Sequence, residues 1–155
     1  SEMIRNQFCG VDTLDFIEWQ LPSQLANFDR NGMYMDHPPY TNHAVYDLVP
    51  RELIAFTLLA GYKGKYADRL EQILDQTADI ALQMQSVNGE LAFGGRSNQF
   101  LHNEAHLALA MEYEASAYKQ AGDNASASRF KAAVFLSGQG VRSKLPSSRT
   151  KETSS

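Results

Sequence analysis

The stretch Phe93-Gly94-Gly95-Arg96-Ser97-Asn98-Gln99-Phe100-Leu101-His102-Asn103-Glu104-Ala105-His106 gathers a glycine pair and a dense set of polar side chains ahead of an apolar run. Glycines let backbone approach a ligand with no Cβ in the way. A helix N-terminus behind them favours anions. Arg96 offers a two-pronged guanidinium suited to a carboxylate or sulfate, or else a structural partner for Asp36, Asp47 or Glu104. Ser97, Asn98, Gln99 and Asn103 are groups of the kind that read sugar hydroxyls, or that satisfy caps and loop backbone. His102 adds a further polar ligand contact.

A second concentration lies at Met33-Tyr34-Met35-Asp36-His37-Pro38-Pro39-Tyr40-Thr41-Asn42-His43. Adjacent prolines forbid helix there, and a long loop rich in polar and aromatic side chains is more often a binding loop than filler. Tyr34, Tyr40 and Tyr46 supply flat faces for sugar rings or for rim packing. Asn42 and His43 stand four and three residues before Tyr46. A histidine or tyrosine can abstract the proton at C5 of a uronate while asparagine or arginine neutralises the neighbouring carboxylate. Alternatively, two carboxylates act as acid and base on a glycosidic bond, and Asp36, Asp47 and Glu104 are the candidates. Both mechanisms stay open.

His102 and His106 share one helical face at i and i+4. A zinc-protease helix has its glutamate directly after the first histidine, and here Asn103 stands in that place. No third ligand is singled out, so neither a metal nor a cofactor is expected.

The elements that must position these groups read as helices. Asp12 to Phe28 carries a near-helical apolar stripe interrupted by Pro22, which fits the first turn of a second helical segment. Asp12 or Thr13 caps the first segment, and Phe16, Trp19 and Leu25 are expected in the core. Asp29-Arg30-Asn31-Gly32 is a turn. Ala44 to Ala60 is apolar nearly all round and so expected to be buried on most sides, capped by Asn42, kinked or restarted at Pro50, and ended by Gly61. Lys65 to Gln85 is the clearest amphipathic helix. Asn88-Gly89 makes a turn, with at most one short β-hairpin near 85–93. An alanine-rich helix runs from His102 or Asn103 to Ala121, where Gly122 stops it, and Asp123 or Asn124 caps a last helix through about Leu136.

The result is about five helices in an all-α chain. Residues 1–137 form the helical domain, and 138–155 form a polar linker or tail with no periodic apolar signal. Successive antiparallel helices place the two polar loops on one rim.

Composition narrows the partners. With 18 acidic and 14 basic residues in 155, net charge −4, nothing favours nucleic acid or an anionic membrane. The apolar run Leu53 to Ala60 is too short to span a bilayer, and no signal peptide is visible at Ser1. Cys9 is the only cysteine; it excludes an intramolecular disulfide and reads as a small buried hydrophobe. Periplasm and cytoplasm both remain open, as does the oligomeric state.

Four segments together carry a family resemblance: Asn31-Gly32-Met33-Tyr34-Met35-Asp36, Tyr46-Asp47-Leu48-Val49-Pro50-Arg51, Gly61-Tyr62-Lys63-Gly64-Lys65-Tyr66 and Gly94-Gly95-Arg96-Ser97-Asn98-Gln99-Phe100. Across about Asn31 to Ala121 the chain resembles bacterial carbohydrate-active enzymes with an (α/α) toroid, heparinase-like and alginate-type polysaccharide lyases and toroidal glucuronyl hydrolases among them. The resemblance implies helical hairpins around an acidic-sugar cleft. It implies Asn42, His43 and Tyr46 as the proton-abstracting set of a lyase, or Asp36 and Glu104 as the paired acids of a hydrolase. The chain is shorter than a complete toroid, so a fragment or truncated member is expected. A non-enzymatic helical interaction module is the competing class.

Overall fold

Apolar spacing resolves into an all-α architecture among the residues that the computed structural model describes, 2–36, 44–91 and 101–144. Six helices follow in order: α1 (Glu2–Cys9), α2 (Leu14–Leu25), α3 (Ala44–Leu59), α4 (Ala67–Gln83), α5 (Leu101–Gln120) and α6 (Asn124–Lys144). None of them is long and apolar enough to cross a membrane. The short pairing expected near 85–93 is, among the described residues, one antiparallel bridge, Gln85 to Leu91, with Ser86 N–H donating to the Glu90 carbonyl at 2.8 Å.

The amphipathic reading of α4 holds, with Leu70, Ile73, Leu74, Ala78 and Ala81 buried on one face. So does the Asp29–Gly32 turn. Asp29 Oδ1 accepts from the backbone of Asn31 and Met33, and Gly32 takes the positive φ of 80° that the turn needs. At the start of α6, Asp123 Oδ1 accepts the Ser126 N–H at 3.0 Å, and that bonding holds its carboxyl below the ordinary range.

Several expectations are corrected. Helix α1 precedes the first expected element, and Cys9 at its end is exposed, because the short helix buries only Met3. Pro22 lies inside one continuous α2 and does not open a second segment. The buried side of α2 is the i, i+4, i+8 row of Ile17, Leu21 and Leu25, which leaves Phe16 and Trp19 outward, Trp19 71% exposed. Helix α3 runs unbroken through Pro50 and is not buried on most sides, since Leu53 is 55% exposed and Phe56 and Leu59 also face out. Finally, α6 continues well past Leu136 to Lys144, so residues 138–144 are helix and not tail. What the sequence lacks there is bulk. Ser137 and Gly140 lie on the side of α6 against which the 86–90 turn packs, and small side chains permit that approach.

Side-chain pairs fix the layering. Glu52 meets His106, and further along both helices Leu59 and Ser116 border one groove, so α3 and α5 run side by side in the same direction. Arg129 reaches Asp79 at 2.5 Å and Gln85 reaches Ser137 at 2.8 Å, so α4 and α6 are likewise parallel. The connections 60–66 and 121–123 are short, which makes α3 antiparallel to α4 and α5 antiparallel to α6. The starts of α3 and α5 therefore share one end of the structure. The core divides in two: Leu48, Leu107, Met111 and Phe130 anchor the α3–α6 half, and Ile17, Ile54, Leu70 and Ile73 anchor the half that receives α1 and α2.

Gly89 is held twice over, by a φ of 82° and by the Leu136 carbonyl, which occupies the place of a Cβ. Gly89→Ala should lower stability by more than about 1 kcal/mol in chemical denaturation, while Gly122→Ala, with a similar φ but open space around it, should cost less.

Candidate functional site

Three of the sequence candidates come together. Tyr34 and Asp36, from the segment after the 29–32 turn, and Tyr46, from the first turn of α3, line one cavity of about 470 Å³ between α2 and α3. Leu21, Leu25 and Phe28 complete one side and Val49, Leu53 and Ile54 the other. Ile54 and Leu70 are buried and form the floor; Asp36, Gln24 and Leu53 are exposed and form the lip. The volume suits a small ligand or a sugar unit.

A buried ion pair sets where Tyr34 stands. Asp47 Oδ1 accepts the Tyr34 backbone N–H at 2.7 Å, and Asp47 Oδ2 accepts Arg51 Nε at 2.5 Å one helical turn along α3. The same guanidinium donates to Thr77 Oγ1 on α4 and lies 3.6 Å from the Met33 sulfur. Burial pushes the Asp47 carboxyl up; Arg51 and the Tyr34 N–H pull it back without cancelling the shift. The Tyr34 ring meets Phe28 edge-on at 5.2 Å, and its hydroxyl lies 3.4 Å from Asn27 Nδ2. Loop, α3 and α4 are thus joined through one cation.

The candidates on α5 serve different neighbours. Glu104 is 1% exposed and Leu91 N–H lies 3.4 Å from its Oε1, so it ties the end of the 85–91 turn to α5. Asn103 is buried beside it. His102 is exposed, with its ring edge-on to His106 at 5.8 Å, as the i, i+4 spacing implies. His106 Nδ1 pairs with Glu52 across to α3. None of these borders the Tyr34 cavity. Asn42, His43, Arg96, Ser97, Asn98 and Gln99 lie outside the described residues, as do His37, Tyr40, Gly94 and Gly95. Among the described residues no cluster of three or more His, Cys, Asp or Glu side chains is arranged to hold a metal ion.

Two residues escape the sequence reading. Arg51 stands four residues after Asp47, a candidate acid of that reading, and the opposite charges at i, i+4 on α3 form a buried pair instead. Glu114 gives less warning. It sits between Tyr113 and Ala115 on α5, 4% exposed, and its Oε2 has no hydrogen-bond partner. It borders a cavity of about 10 Å³ together with Arg51. Burial first, then Asp75 and Asp79, push its carboxyl up to about 7 against the pull of Arg51.

Replacing Asp47 with Asn leaves Arg51 buried without its counter-charge, so Asp47→Asn should cost roughly 3–5 kcal/mol of unfolding free energy. Amide exchange should also quicken at Tyr34, whose N–H loses its charged acceptor. For Glu114 the raised folded value means that the folded chain holds a proton that the unfolded chain releases between pH 4.5 and about 7. Its contribution is full below pH 4.5, declines as pH rises and levels off above about 7, a change on the order of 3 kcal/mol. Thermal denaturation across that range should show the decline, and Glu114→Gln should flatten it.

No family model, no curated protein and no solved structure matches the chain.

Proposed function

We propose that the chain forms helical hairpins of an (α/α) toroid that binds and cleaves an acidic, uronate-containing glycan. The observation that carries this reading is the convergence of Tyr34, Asp36 and Tyr46 on one cavity from two separate stretches of chain. Two tyrosine faces suit the apolar faces of sugar rings, and a phenol beside a carboxylate provides groups for proton transfer. The layering supports the toroid: α3 lies parallel to α5 and α4 to α6, with each layer antiparallel to the other.

Two courses of reaction fit these groups. In elimination, His43 or Tyr46 takes the C5 proton of a uronate and the glycosidic oxygen leaves from C4, taking a proton from water as it departs; neutralising the sugar carboxylate is the work proposed for Asn42 and Arg96. In hydrolysis, Asp36 protonates the leaving oxygen and a second carboxylate must direct water; Glu104, buried against the Leu91 N–H and outside this cavity, does not supply it. Ser97, Asn98 and Gln99 enter as hydroxyl-binding groups, whereas His102 does not border the cavity. A helical interaction module is the second reading, favoured by the apolar groove of about 530 Å³ that Phe56, Leu59, Leu109 and Tyr113 form between α3 and α5.

Incubating the chain with uronate polysaccharides tests the proposal. Elimination raises ultraviolet absorbance from an unsaturated product, whereas hydrolysis yields reducing ends without it. Tyr46→Phe should slow the first, and Asp36→Asn the second, by roughly 10²-fold or more. A folded chain that neither binds nor cleaves any uronate glycan overturns the carbohydrate reading.

A further inference from the structure

Helix α3 presents an apolar ridge to solvent. Val49, Leu53 and Phe56 stand at i, i+4 and i+7, so they share one line along the helix, and Leu59 follows at the next turn. Each of the four is between 36% and 68% exposed. On one side of the ridge lies the Tyr34 cavity, bordered by Val49 and Leu53; on the other lies the groove of about 530 Å³ that Phe56 and Leu59 share with Leu109 and Tyr113 of α5. Ala55, Ala105 and Ala108 also line that groove, and their small side chains let an incoming group come close to both helix backbones.

Charge narrows the occupant of the groove. Glu112 is the one charged side chain among its described lining residues, and Lys131 of α6 already meets it at 2.6 Å. At the head of the groove, Glu52 and His106 are paired with each other. A basic peptide or a nucleic acid would find no unmatched charge among these residues, and its own ionised groups would lose water against carbon. An apolar helical ridge fits better, and the same face of the protein presents one. A patch that carries both a ridge and the groove that accepts it is self-complementary, which is what a two-fold contact requires.

The size of the patch agrees. Side chains of this kind carry on the order of 150–250 Å² apiece, so at these exposures the four hold roughly 400 Å² of apolar surface, as much as a functional patch on a monomer. With the polar rim that normally surrounds such a core, two copies bury about 1,200–1,400 Å², above the ~1,000 Å² that a specific dimer needs. We propose that the chain forms a two-fold dimer through its α3–α5 face, with the α3 ridge of each copy seated in the α3–α5 groove of the other. The second copy then lies against Val49 and Leu53 and forms one edge of the mouth of the Tyr34 cavity. Self-association of this kind is independent of glycan cleavage, and it names the partner that the groove takes if the chain is an interaction module.

Sedimentation velocity on the full chain from about 1 to 200 μM tests it, since a dimer follows mass action. The mass should rise with concentration from 17.3 kDa toward twice that value. Leu53→Glu and Leu59→Glu each place a charge in the contact twice, once per copy, and each should weaken the dimer at least about tenfold. Both positions are more than half exposed, so the variants fold, which circular dichroism and a melting curve on dilute protein check. Phe135→Glu is the control: Phe135 is nearly as exposed as Leu59 but lies on α6 outside the groove, and its substitution should leave the dimer unchanged. A constant mass of 17.3 kDa across the range overturns the dimer and leaves the glycan reading standing. A dimer that Phe135→Glu disperses and the two leucine variants leave intact uses another face, which overturns it as well. Assembly beyond two copies excludes the closed two-fold contact. A dimer sensitive to both leucine variants that binds and cleaves no glycan keeps this contact and removes the carbohydrate reading.

Discussion

The buried Arg51 guanidinium is the constraint around which the rest is arranged. A cation removed from water in a helical core costs several kcal/mol unless its donors are met, and here they are met from three directions: Asp47 on its own helix, Thr77 on α4 and the Met33 sulfur from the preceding loop. Because Asp47 also accepts the Tyr34 N–H, the ion pair fixes more than helix packing. It sets the entry of the 29–36 segment onto α3, and with it the place of Tyr34 and Asp36 in the cavity. Hydrophobic contacts are non-directional and would let that segment slide; hydrogen bonds to a buried charge do not.

Gly32 shows the same constraint from the backbone side. A Cβ on it would crowd the methyl of Thr77, the residue that also receives Arg51. The turn therefore lies directly on the polar cluster, and its positive φ, its small residue and the Asp29 side chain that caps it all serve one close approach. Turn chemistry and ion pair specify the same geometry, a consistency across levels that favours one arrangement over its competitors.

Much of this frame is legible in the sequence because it rests on local rules. The i, i+3, i+4 spacing of α4, the Asp-x-Asn-Gly turn and the Asp123 cap depend on neighbours in the chain and came out as expected. What was not legible depends on partners far away in sequence. Phe16 and Trp19 are as apolar as Ile17 and Leu21, and partners distant in sequence decide which row of α2 is covered, since Ile17 belongs to a cluster with Met3, Ile54 and Leu70. The end of α6 carries serine and glycine where a turn packs closely, so a real helix lacks the apolar stripe by which helices are recognised. For the site, the sequence singled out Tyr34, Asp36 and Tyr46, which do share a cavity, while Glu104 and His102 border other neighbours. Arg51 and Glu114 are not legible because each lies next to another charged or polar side chain in its helix, Glu52 and Tyr113, and only the packing of α4 shows which of them is buried.

Charge balance inside the core links these parts. Among the described residues, Asp47, Glu104 and Glu114 are buried carboxyl groups and Arg51 is the one buried cation. A buried carboxylate is costly unless donors meet it, and the described donors are divided unequally. Asp47 has the nearest claim, with the guanidinium and a backbone N–H. Glu104 has the Leu91 N–H close by. Glu114 has an oxygen with no partner and two further acids, Asp75 and Asp79, facing it from α4, so it is the one driven toward holding a proton near neutral pH. Arg51 bonds Asp47 directly and pulls on Glu114 only through space. The ordering of the Tyr34 segment and the raised Glu114 carboxyl are then two consequences of where one buried guanidinium places its donors.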